Sequence, residues 1–143
     1  MALTRIGDWE LALHDYMVAN DGLPHVYGTR DCVLFAAGAV QALTGVDLAA
    51  KWRGKYKTEA GALRTLCKLS DGTVQGLIYQ YLPTIPTSFA RRGDIALFEG
   101  SAGVVMGPYA VFVGAYLDEE GEELPPAYVL KFRHEWEKAW AVG

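Results

Sequence analysis

The 143-residue sequence is poor in cysteine, with only Cys32 and Cys67, and poor in histidine, with His14, His25 and His134. Two thiols in a chain of this length exclude a disulfide-built scaffold, and both read as free because each sits in a segment of helical pattern. No grouping of Cys, His and carboxylates has zinc-ligand spacing, so no metal is expected. Positive charge is not in surplus: 13 basic against 17 acidic side chains give a formal net charge of -4, which argues against nucleic acid as a partner. No apolar run reaches the roughly eighteen residues of a membrane span, and the charged start "MALTRIGDWELALHDYMVAN" has no signal-peptide centre. The glycines of "GDIALFEGSAG" come without a Walker lysine or a dinucleotide fingerprint, so no cofactor is expected there. Internal repeats and low-complexity segments are missing too.

What is present is apolar mass. At 51% hydrophobic residues the chain can build its own core, and a single domain over residues 1–143 is expected. Ile6, Trp9, Leu13, Tyr16 and Met17 fall at helical spacing from Thr4 to about Ala19, with Arg5, Glu10 and Asp15 on the surface. "NDGLPHVYG" breaks that helix and continues extended. Cys32 to Leu43 contains one strongly polar residue, Gln41, which predicts a buried central helix capped by Asp31 and stopped by Gly45. A basic cluster (Lys51, Arg53, Lys55, Lys57) reads as an exposed stretch; a helix capped by Thr58 follows, ending near Ser70-Asp71-Gly72, and another spans Thr73 to Leu82. Beyond "PTIPTSFARRGD" the segments 94–98, 103–107, 109–117 and 127–132 are β-branched and aromatic, and the acidic "DEEGEE" reads as a solvated hairpin turn. The closing "HEWEKAWAVG" predicts a short helix or turn pinning Trp136 and Trp140 to the body. Helices followed by an antiparallel sheet make the fold class α+β.

Chemistry concentrates at "GTRDCVLFAAG". A cysteine at a helix N-terminus meets unpaired N–H groups and the positive end of the macrodipole, both of which favour the thiolate; a small buried hydrophobe is the alternative. Acyl transfer by that thiolate also needs a proton donor for the leaving group, normally a histidine. His25 lies seven residues before Cys32 in an extended segment, His134 follows the last predicted sheet strand, and His14 reads as a helix surface residue.

Two stretches, "HVYGTRDCVLFAAGAV" and "ARRGDIALF", resemble the NlpC-type cell-wall cysteine peptidases of the papain-like superfamily: an aromatic-Gly, then Asp-Cys opening the central helix, then a Gly-Asp lead into the sheet. "DCVLFAAGAVQALTGVDLAAKWRGKY", the "RRGD" strand and "KAWAV" are similar to a small family found in phages and prophages near tail genes. The resemblance implies Cys32 as nucleophile, Asp31 as the residue before it and Tyr27 as the aromatic neighbour; an active enzyme would need His25 or His134 to substitute as acid and base from another direction. In cell-wall peptidases the catalytic histidine opens the following strand in a His-Val-Gly-Ile-Tyr pattern, whereas "PYAVFVGAY" offers Tyr109, Ala110 or Phe112.

Beside a bland third possibility, a soluble helper that folds only during assembly and is absent from finished particles, two functions remain open. One is a phage or prophage tail component, at the tail tip or baseplate, with a degenerate site and contacts to other tail proteins in a larger assembly. It would be made in the host cytoplasm and carried in the virion tail. The other is an active cysteine peptidase or amidase cutting peptidoglycan stem peptides during cell-wall penetration.

Overall fold

The computed structural model describes residues 3–113, 119–122 and 126–143, in which four helices precede and cover an antiparallel sheet, an α+β arrangement. The helices are α1 (Trp9–Asn20), α2 (Cys32–Thr44), α3 (Glu59–Leu69) and α4 (Val74–Tyr79). The strands are β1 (Thr84–Ile85), β2 (Ile95–Phe98), β3 (Ser101–Val105), β4 (Tyr109–Phe112), β5 (Val129–Phe132) and β6 (Lys138–Trp140). They are ordered β1-β6-β2-β3-β4-β5.

Helix α2 starts and stops where its sequence requires. Asp31 accepts from the Leu34 N–H at 2.9 Å, and Gly45 closes the helix at φ 79, a left-handed conformation that costs glycine nothing. Between these caps Leu34, Phe35, Ala39, Val40 and Leu43 are buried, so the helix is wrapped by α1 on one side and by β3 on another. Its Phe35 joins Leu13 and Met17 of α1, Ile95 and Leu97 of β2, Val104 of β3 and Trp140 of β6 in the principal core. Removing a large side chain from such a centre costs about 3–5 kcal/mol, transfer and cavity terms together.

Four expectations need correction. Helix α1 begins at Trp9, not Thr4, because Arg5 is not on the surface: it is buried against Asp94 at 3.0 Å and also donates to the carbonyls of Val142 and Arg92, each at 2.7 Å. These bonds, with Ile6 N–H on the Leu43 carbonyl, hold the first residues extended across the molecule. Helix α4 ends at Tyr79, three residues short of Leu82. The closing segment opens on a short 3-10 turn at Arg133–Glu135, in line with the expected short helix or turn, but then forms strand β6, which was not expected. β6 pairs on both sides, Ala139 facing Ile85 of β1 and Ala96 of β2, and β1 itself lies in a stretch that reads as loop. Trp136 and Trp140 are buried as expected. Residues 114–117 of the expected third strand, and the ends of the "DEEGEE" turn, lie outside the described residues; 119–122 are exposed.

Among the described residues no helix is long and apolar enough to cross a membrane.

Candidate functional site

Cys32 opens α2 on one wall of a cleft of about 610 Å³. Two turns fix that wall. At Gly28 (φ 83) a Cβ would lie 1.8 Å from the Tyr56 carbonyl oxygen, so only glycine lets the two backbones meet. Asp31 then accepts from Gly28 N–H at 3.2 Å, Leu34 N–H at 2.9 Å and the Tyr56 hydroxyl at 2.5 Å. The residue that resembles a catalytic neighbour is therefore a buried cap tying the cysteine loop, the α2 N-terminus and the segment before α3 into one unit. Tyr56 is pushed above the ordinary phenol range, first by burial and next by its bond to Asp31.

The opposite wall comes from the β2–β3 hairpin. Its two-residue loop, Glu99-Gly100, has φ 47 and 77, positive at both positions as a type I′ hairpin turn requires. Phe98 thereby pairs with Ser101, and the first residue of β3 is delivered to the helix start. Ser101 lines the cleft beside Cys32, and its hydroxyl and the Ala102 backbone N–H are the groups of β3 that act on the thiol. Both favour the thiolate, as does the Val33 N–H, yet the thiol is raised above its ordinary value because desolvation outweighs them and Asp31 adds like-charge repulsion. The helix-end position predicts the opposite direction. Cys32 is half-buried where α2 packs on β3 and lines the cleft, and desolvation there is the largest influence on its thiol.

The strand that reaches the Cys32 end of the cleft is β3, the second after Gly93-Asp94, with Ser101 as its first residue, and not β4, which begins at Tyr109. Sequence reasoning missed Ser101; the Glu99-Gly100 turn was the available signal. Among the described residues no histidine is hydrogen-bonded to Cys32. His25 lines the same cleft, with its ring edge-on to Tyr27 at 4.8 Å. Tyr27 also lines it, its hydroxyl raised first by burial and then by Glu59, Cys32 and Asp31. The structure thus brings together Cys32, Asp31, Tyr27 and His25. It does not bring His134, which is exposed beyond edge strand β5, stacks on Phe132 and borders a separate depression with Thr87 and Pro108. His14 is exposed on α1.

Both cysteines are free, and Cys67 is exposed on α3. Among the described residues no group of three metal-ligating side chains occurs. The rest of the cleft is apolar, walled by Leu63, Leu66 and Leu69 of α3, Leu77 of α4, and Trp52.

Comparison with known proteins gives no match to a curated protein or to a solved structure. A family profile does match, over residues 4–142, and the chain belongs to that family, described as Domain of unknown function (DUF6950).

Proposed function

We propose that this protein is a phage or prophage tail component built on an NlpC-type papain-like fold, whose cysteine site no longer hydrolyses peptides and whose cleft holds a partner. The observation that carries the reading is that the groups favouring the Cys32 thiolate are a serine hydroxyl and backbone N–H groups, and that no histidine is hydrogen-bonded to Cys32 among the described residues. Neither can protonate a leaving amine as an imidazolium does, a contribution worth about 10²- to 10⁴-fold. Burial adds to the deficit by keeping the thiol protonated near neutral pH.

The papain-like reading is supported by a buried helix that begins at the cysteine and packs on β3, the second strand after the Gly-Asp lead. The tail assignment is supported by the resemblance of "RRGD", "KAWAV" and the Cys32 helix, and by exposed aromatics such as Tyr79, Phe89 and Phe132 of the kind enriched at protein interfaces. Two assays test it. Wild type and Cys32→Ala incubated with purified peptidoglycan should both release no new amines, and mass spectrometry of purified particles should detect the chain. Amine release by wild type alone would overturn the loss of hydrolysis; absence from particles would overturn the tail assignment.

The presence of His25 in the cleft favours a second reading, an active amidase with His25 as acid and base. It requires that wild type release amines and that Cys32→Ala and His25→Ala both fail to.

A further inference from the structure

The one titratable base in the described lining of the cleft beside Cys32 is His25. The same lining carries two carboxylates, Asp31 and Glu59, and no lysine or arginine. Residues 1–2, 114–118 and 123–125, outside the described set, contain no basic side chain either. The two acids differ. Asp31 is spent on its three donors, whereas Glu59, in the first turn of α3, makes no hydrogen bond or ion pair among the described residues. Glu59, Asp31, Cys32, Tyr27 and Tyr56 line this one cleft, and the Tyr27 hydroxyl, raised by Glu59, Cys32 and Asp31 after burial, marks its polar end.

Away from that end the wall turns aliphatic along α3, and Leu63 there is 55% exposed. Val33, Trp52 and Leu77 also border a second, narrow cavity of about 40 Å³ with an almost wholly apolar lining. Trp52 is only 7% exposed, and its indole Nε1 has no hydrogen-bond partner among the described residues. A buried donor left unsatisfied is unusual and calls for an acceptor from elsewhere.

We propose that this cleft binds a primary ammonium carried on an aliphatic chain, the lysine side chain of a partner polypeptide, with the ammonium at Glu59 and the two tyrosines and the methylenes along the leucine wall. The assignment rests on the reading of the cleft as a binding site. A cation gains from a carboxylate and from aromatic faces together, and each buried methylene improves affinity by about fourfold. Ligands bearing free carboxylates find no guanidinium here and meet like charge.

Calorimetric titration of the full chain with n-butylamine, n-hexylamine, hexan-1-ol, hexanoate and a lysine blocked as N-acetyl-lysine methylamide tests this. Hexylamine should bind at roughly millimolar Kd and about tenfold tighter than hexanol, hexanoate or butylamine. Glu59→Gln, an exposed helix position, should weaken hexylamine about fivefold and leave hexanol unchanged. Blocked lysine should bind at least as well as butylamine and shift the Trp52 indole N–H resonance; failure of that arm alone reassigns the site to free amines and overturns the polypeptide source. Equal binding of hexylamine and hexanoate, or no effect of Glu59→Gln, overturns the ammonium site itself. Amine release from peptidoglycan overturns the hydrolysis-free reading, an outcome distinct from either.

Discussion

Asp31→Ala removes an acceptor that serves three donors: the Leu34 N–H at 2.9 Å, the Gly28 N–H at 3.2 Å and the Tyr56 hydroxyl at 2.5 Å. Loss of the helix cap alone costs about 1 kcal/mol. A buried hydroxyl or N–H deprived of its acceptor costs about 1–3 kcal/mol more, and because all three bonds end on one carboxylate the losses are not additive. The expected destabilisation is about 3–4 kcal/mol. With a urea m-value of about 2 kcal/mol/M, the unfolding midpoint falls by about 1.5–2 M at unchanged m. Tyr56→Phe, which deletes one donor and leaves the other two, should cost about 1–2 kcal/mol in wild type and less than about 0.5 kcal/mol once Asp31 is gone. If Asp31→Ala unfolds within about 0.5 M of wild type, the carboxylate is not the frame of the cysteine site.

Three more outcomes are expected. Arg5→Ala, which leaves buried Asp94 without its guanidinium and two carbonyls without donors, should lose about 3–5 kcal/mol in urea unfolding, and Arg5→Lys should recover little because an ammonium cannot span the same acceptors. Glu99→Asn should stabilise by about 0.5–1 kcal/mol in thermal unfolding, since asparagine tolerates the positive φ of 47 better than glutamate and makes Asn-Gly of the turn. The Asp47 carboxyl is held below its ordinary value chiefly by its hydrogen bond from Arg53. Stability from that pair is present above the unfolded carboxyl value and lost as pH falls through the lower folded one, so Arg53→Gln should cost more at about pH 6 than at about pH 2, by less than about 1 kcal/mol for this half-exposed pair.

Local chemistry was legible in the sequence where a single residue decides the structure. Asp31, Thr58 and Gly45 mark helix ends because a side-chain acceptor or a left-handed backbone is needed there. Strand β6 was not legible: three residues, Lys138–Trp140, become a strand only because β1 and β2 supply partners on both sides. Arg5 was misplaced for the same kind of reason, since its acceptors lie at Arg92, Asp94 and Val142. At the site, the position of Cys32 followed from the sequence, but its surroundings depended on a hairpin register that the apolar pattern of residues 94–113 leaves open. The Glu99-Gly100 turn fixes that register and brings Ser101 to the cleft beside Cys32.

The central claim concerns the ionisation of Cys32, and alkylation kinetics test it directly. In a Cys67→Ser variant, which leaves Cys32 as the only thiol, the rate of reaction with iodoacetamide is followed from about pH 5 to about pH 10. A thiol raised by burial predicts a rate that climbs across this range, with an apparent pKa above the ordinary value of about 8.5. A rate that has reached its plateau below neutral pH would reveal an activated thiolate and contradict the account.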